Sequence, residues 1–286
     1  MERSISCQDI KTDKGRLKLD KGIQKKAVYL GIDLMYPALE TLLKEGVDVI
    51  RIYTCPCNNV TEFNVKIIEL AEEYHIPYTT EKITRQDLEK LIAAGCELLV
   101  CAGYDYRVPV TDAFPMVNIH PAPLPYCRGA WPMPMILLGD YPKGGLVIHK
   151  MVEAYDAGDI ILQETFSIKK RESLESYMKK VHMRIPDMLR HFLKHMKECL
   201  EHAVPQTEGR YLANPGESFW TVTFDMEAEK ADRILRAFYG YECIYLTAEE
   251  KYELIGARVS YGNGILTEFP VKGGYITAEK IRKIRS

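Results

Sequence analysis

Between residues 26 and 120, short apolar runs alternate with amphipathic stretches, and few folds accept that order. "KAVYLGI" (26–32), "VDVIRIYT" (47–54) and "ELLVCAG" (97–103) have the composition of buried strands. Between them, "MYPALETLLKEG" (35–46), "TEFNVKIIELAEEYH" (61–75) and "RQDLEKLIAAG" (85–95) carry apolar residues at helical spacing, and the first and last end on glycine. "MVNIH" (116–120) supplies a further strand. Helices alternating with strands predict an α/β fold, a Rossmann-like and mainly parallel sheet with helices on both faces. Ligands of such sheets bind outside the carboxyl ends of the strands.

Past residue 143 the pattern changes. "GGLVIHKMV" (144–152) and "DIILQETFSI" (159–168) read as two strands around a short polar loop. A long helical segment runs from Leu174 to about His202 and holds Pro186, which predicts a kink or a split there. "AVPQTEGRYLANPGE" (203–217) has the punctuation of a linker. The expected organisation is a charged N-terminal extension (1–24), a main α/β domain (25–204), a linker (205–218) and a small β-rich C-terminal domain, α+β or barrel-like (219–286).

Charge and cysteine usage exclude several classes. Lys plus Arg total 38 against 40 Asp plus Glu, which argues against a general nucleic-acid binder. No run of apolar residues is long enough for a membrane span, and the N-terminus lacks the apolar stretch of a signal peptide. The eight cysteines form no disulfide-rich pattern, which fits a reducing cytoplasm. "YTCPC" (Cys55, Cys57) has no second Cys or His pair at metal-site spacing, so no metal is expected. "YLGIDLMYPAL" holds a single glycine where a dinucleotide fold would need G-x-G-x-x-G, and no P-loop follows.

The stretch with chemical content is "VNIHPAPLPYCRG" (117–129). Side chains alternate along a strand, so Asn118 and His120 face the same way at the sheet's ligand end. Pro121, Pro123 and Pro125 then stiffen the following loop and withhold backbone donors. A satisfied core histidine beside a turn-forming asparagine would account for this stretch equally well. Downstream, "GGLVIHKMVEAYDAGDIILQ" places Asp156 in a tight loop, 38 residues beyond Asn118.

Together, "NIHPAPLP", "RGAWP" and "YDAGDIIL" resemble the formyltransferases that use 10-formyltetrahydrofolate, over roughly residues 25–200. A fainter similarity continues through "PQTEGRYLANPGESFWTVTFDMEAEKADRILRAF" to the linker and small C-terminal domain of the larger members. The resemblance implies transfer of a formyl group to an amine through a tetrahedral oxyanion, with no metal. Asn118 would donate its amide N–H to that oxyanion, and His120 would stabilise charge and shuttle the proton. Asp156 would orient the imidazole and favour its protonated form. The co-substrate's pterin would lie against Ala122, Pro123, Leu124 and Pro125, against Tyr104, Arg107 and Val108, and against the backbone from Val152 through Tyr155. "APLP" departs from the family's Ser-Leu-Leu-Pro and lacks the serine hydroxyl.

The family divides by acceptor. "GIDLMYPALE" offers no phosphate-binding nest, which speaks against a ribonucleotide amine, and the leader is too short for the regulatory domain of formylfolate hydrolases. "TCPCNNVTEFN" contains no Lys or Arg, where methionyl-tRNA enzymes carry a basic loop. From Pro205 onward, eleven Lys and Arg face twelve Asp and Glu. A small-molecule amine, an amino sugar nucleotide or an amino-acid or peptide amine, is therefore the expected acceptor. Methionyl-tRNA is the disfavoured alternative, and a folate-binding module without transfer the most distant one. His149 is expected to pack or face solvent, and His182, His191 and His195 to lie on a solvated helix face. Arg128 either anchors its loop or touches the folate tail, and Trp131 is expected to narrow the acceptor pocket.

Overall fold

The computed structural model describes residues 25–139, 141–262 and 269–284, so the N-terminal extension (1–24) lies outside the described residues. The order is β1 (Lys26–Gly31), α1 (Pro37–Lys44), β2 (Asp48–Tyr53), α2 (Val65–Glu73), β3 (Tyr78–Thr79), α3 (Arg85–Ala93), β4 (Leu98–Ala102), β5 (Met116–His120), α4 (Pro132–Leu138), β6 (Lys143–Lys150), β7 (Ile160–Ser167), α5 (Leu174–Lys194) and α6 (Met196–Glu201). A seven-stranded sheet takes the order β3-β2-β1-β4-β5-β6-β7. The pairs β2–β3, β1–β2, β1–β4 and β4–β5 are parallel, and β5–β6 is antiparallel.

Burial follows from that order. Every residue of β4 is buried, as is β1 after Lys26, because central parallel strands are covered on both faces. The chain runs outward from β1 to β3 and then crosses back to β4. Right-handed crossovers therefore place α1 and α2 on one face and α3 on the other. Sharp caps end these helices. Thr84 and Asp87 exchange the two bonds of a capping box at α3. The Asp33 carboxylate accepts from the N–H groups of Lys66 and Ile67 at the start of α2, both at 3.0 Å.

The helix α5 does not break where the proline predicts. It passes through Pro186 as one element, and the interruption falls at His195, before α6. Tyr177, Val181, Ile185, Leu189 and Phe192 form a fully buried stripe along it, and that packing outweighs the bond Pro186 cannot donate. His182 is also less exposed than expected. Its Nε2–H donates to the Leu34 carbonyl at 2.8 Å, and its ring meets Tyr36 edge-on. His191 and His195 are exposed.

Two compact units divide the chain. The first holds the described residues through Arg128 together with Gly145–Phe166 and Val181–Tyr211. The second takes in Gly129–Gly144 and Ser167–Lys180 as well as the C-terminal segment from Leu212. Its further elements are β8 (Thr221–Thr223), α7 (Ala228–Ala237), β9 (Cys243–Leu246), β10 (Lys251–Ile255), β11 (Arg258–Tyr261), β12 (Phe269–Val271), β13 (Gly274–Thr277) and β14 (Lys280–Ile284). They form a four-stranded sheet, β14-β10-β9-β8, and a three-stranded one, β11-β13-β12. Trp131 belongs to this unit's aromatic cluster, 4.9 Å from Tyr241 and 6.4 Å from Trp220 and Phe238 between ring centroids. No helix among the described residues is long and apolar enough to cross a membrane. Because α5 tolerates its proline only through packing, Pro186→Ala is expected to raise the urea midpoint. The gain is up to about 3 kcal/mol, the helix cost of proline relative to alanine.

Candidate active site

β5 ends at His120 on the carboxyl side of the sheet, one strand from the point where strand order reverses. Antiparallel pairing with β6 sets Asn118 opposite His149. The loop between β6 and β7 returns Asp156 to the same place. Asp156 Oδ1 lies 3.3 Å from Asn118 Nδ2, 3.5 Å from His120 Nδ1 and 3.4 Å from His149 Nε2. The carboxylate is only 11% exposed, and both imidazoles are buried.

The remaining contacts orient each ring. His149 Nδ1–H donates to the Lys150 carbonyl at 2.8 Å, which leaves Nε2 to accept from Asn118 Nδ2 at 3.1 Å. The Asn118 amide nitrogen thus spends its hydrogens on His149 and Asp156. His120 Nε2 pairs with the Cys127 carbonyl at 2.8 Å, inside the proline-stiffened loop. Burial holds the His120 pKa below its ordinary 6.5, although Asp156 and the Cys127 carbonyl both pull it upward. Asp156 thus favours the protonated form, but desolvation of the cation outweighs the carboxylate.

Two features of the Asp156 loop are backbone-driven. Asp156 itself is left-handed, at φ 51°. Gly158 is buried where a Cβ would come within 2.0 Å of the Lys150 carbonyl oxygen, so a side chain there would push the loop off the sheet.

The residues expected around the pterin divide by accessibility. Val108, Ala122 and Leu124 have buried side chains and offer a ligand only main-chain groups. Leu124 N–H already donates to Gln163, and the Pro123 and Pro125 carbonyls accept from Cys127 and Arg210. The Leu124–Pro125 bond is cis. The Tyr104 hydroxyl accepts from Ile83 N–H, and Arg107 pairs with Glu153 at 3.0 Å. Val152 and Tyr155 are exposed beside Asp156.

Sequence reasoning missed His149. It is buried, as packing requires, and the β5–β6 register also places it against Asn118. Its position directly opposite Asn118 in a paired strand was the available signal, and it required knowing which strands pair. Cys55 and Cys57 form no metal site with neighbours; no group of three or more His, Cys, Asp or Glu is placed to hold a metal among the described residues. Asp105 N–H donates to Cys55 Sγ at 3.4 Å, and Cys57 Sγ donates to the Cys55 carbonyl.

The family model for the formyl transferase domain matches residues 57–192. The methionyl-tRNA formyltransferase of Bacillus cytotoxicus is 33% identical over 169 residues, covering 54% of this chain and 53% of that protein. The chain thus spans about half the length of the curated relatives it matches first. Among solved structures, HypX from Aquifex aeolicus superposes with a TM-score of 0.71 at 14% identity, over 92% of this chain and 46% of that one. The sugar 3N-formyl transferase WlaRD superposes with a TM-score of 0.60 at 15% identity, over 92% of this chain and 99% of that one. At such identities the structures share the fold. The domain match runs from the loop after β2 into α5, and over that span this chain is similar to the formyl transferases.

Proposed function

We propose that this protein transfers the formyl group of 10-formyltetrahydrofolate to a primary amine, using Asn118, His120 and Asp156. The observation that carries the reading is the convergence of those three side chains within 3.5 Å of one carboxylate oxygen at the sheet's ligand end. The amine nitrogen attacks the formyl carbon, the carbonyl π electrons move to oxygen, and a tetrahedral oxyanion forms. Asn118 turns one amide N–H from its internal acceptors to that oxygen; such a donor is worth roughly 3–4 kcal/mol. In the tautomer that carries its hydrogen on Nδ1, His120 donates Nδ1–H to Asp156, and Nε2, no longer the donor to the Cys127 carbonyl, has a lone pair free to take the amine's proton. The oxyanion collapses, the bond from carbon to N10 breaks, and His120 returns the proton to N10.

Folate recognition follows the same surface. Ala122, Pro123, Leu124 and Pro125 present a rigid, main-chain edge suited to an amide-like pterin. The backbone near Tyr104, Arg107 and Val108 and the exposed Val152–Tyr155 stretch form the other walls.

For the acceptor, we favour a small-molecule amine such as an amino sugar nucleotide. The loop after β2 lacks Lys and Arg, and its exposed Asn58 caps the loop's own backbone: Oδ1 accepts from the N–H groups of Val60, Thr61 and Glu62. The N-terminus of α2, a natural phosphate site, is filled by Asp33. Methionyl-tRNA is the second reading, and the names of the relatives do not separate the two. The Bacillus relative is named for that acceptor while WlaRD is named for sugars.

Three outcomes are expected. With 10-formyltetrahydrofolate, formylation of amino sugar nucleotides exceeds formylation of methionyl-tRNA, and the reverse ranking would replace the first reading with the second. Asn118→Ala lowers kcat by about 100- to 1000-fold, and His120→Ala abolishes turnover. Binding of 5-formyltetrahydrofolate, followed by calorimetry, persists in both; unchanged turnover in either would refute its role. The third concerns pH. As pH falls below 6.5, through the depressed His120 pKa, the base is lost and kcat/KM declines. Asp156→Asn removes a charge that raises this pKa, so its residual activity shows the limb at still lower pH.

A further inference from the structure

The Asp156 loop is mostly exposed, yet it holds a left-handed aspartate against two histidines. Glu153 to Arg107 and Asp156 to Asn118 hold part of it. The carbonyls around the turn are met by the segment that reads in sequence as a linker. Gln206 Nε2 donates to the carbonyls of Asp156 and Gly158, at 2.8 and 2.6 Å. The Tyr211 hydroxyl donates to the Tyr155 carbonyl at 2.8 Å. Three carbonyls flanking the turn are thereby met from one strap.

Gln206 is in turn braced. Its Oε1 accepts from Arg128 Nε at 3.0 Å and Nη2 at 2.8 Å, a fork that orients the amide so that its N–H groups face the loop. Arg128 is buried, at 8% exposure. Its guanidinium lies where a Cβ on Gly209 would come within 2.4 Å of Cζ, and it stacks 5.6 Å from the Tyr211 ring centroid. Backbone bonds from Arg128 to Arg210 and from Arg210 to Pro125 tie the strap to the proline loop. The residue before Arg128 is Cys127, whose carbonyl takes His120 Nε2. One guanidinium–amide pair therefore joins the turn that carries Asp156 to the loop that orients His120.

We infer that Gln206, braced by Arg128, is a positioning residue that holds the Asp156 turn in register with His120. The inference rests on the function proposed above for Asp156, but its first test does not need formyl transfer. The Arg128 guanidinium serves as an anchor for the site, not as a ligand for the folate tail.

The test uses the full chain with Gln206→Ala, Gln206→Glu and Gln206→Met. Glutamate keeps an acceptor for Arg128 but turns a carboxylate on two carbonyls, and methionine keeps the volume without either polar group. The His120 imidazole is followed by 15N NMR titration and assigned with His120→Gln. Freed from its strap, Asp156 loses its fixed place by Nδ1, so the His120 midpoint in all three variants moves down toward that of Asp156→Asn. A purely structural glutamine would lower the unfolding midpoint and leave the folded-state titration where it is, and that result overturns the inference. Kinetically, kcat falls about 100-fold in each variant, the scale of a misplaced catalytic group. Combined with Asp156→Asn, Gln206→Ala adds little further loss; multiplication of the two losses also overturns it. Should Gln206→Ala fail to fold, Gln206→Met decides. A wild-type protein inactive with formylfolate sinks the proposed function, while the titration still judges the strap.

Discussion

A carboxylate withdrawn from water has to be met by donors, and the site is organised around that demand at Asp156. Leaving such a charge unmatched would cost several kcal/mol. Here one oxygen accepts from the Asn118 amide at 3.3 Å, with the His120 and His149 rings 3.5 and 3.4 Å away. His149 leans on the Lys150 carbonyl and His120 on that of Cys127. The His120 imidazole remains poised because burial and the carboxylate pull its pKa in opposite directions, with burial ahead. A group caught between two such forces is well suited to receive a proton and release it.

The sheet supplies the framework. β5 is the last strand of the parallel run, and β6 reverses direction beside it. That reversal brings a histidine on one strand opposite an asparagine on the other, which a parallel neighbour in a different register would not do. It also lets a short loop, rather than a crossover helix, carry Asp156 back to the strand end. The loop after β2, by contrast, has its backbone groups met by Asn58, Asn64 and Asp33. Chemistry and its neighbouring surface are thus separated by which polar groups the fold has already satisfied.

Much of this was legible in the amino-acid string. The α/β alternation came from periodicity, and Asn118, His120 and Asp156 came from two short blocks and the family they resemble. What escaped detection did so for physical reasons. His149 depends on strand register, which no local pattern carries. Pro186 obeyed tertiary packing rather than its own propensity. His182 found an acceptor in Leu34, remote in sequence. Gln206 and Tyr211 sit among prolines and glycines, and that punctuation describes the backbone's freedom without saying what its side chains grip.

The strap has a bearing on where the first compact unit ends. A boundary drawn by composition falls at residue 204, after the last helix and before the proline. Asn118, His120 and Asp156 lie on the near side of that line, yet Gln206, Gly209 and Tyr211 lie beyond it. The smallest autonomous piece able to keep Asp156 in place must therefore extend through Tyr211, the last residue of the first compact unit. Modularity here follows the hydrogen bonds to three loop carbonyls rather than the point at which secondary structure stops.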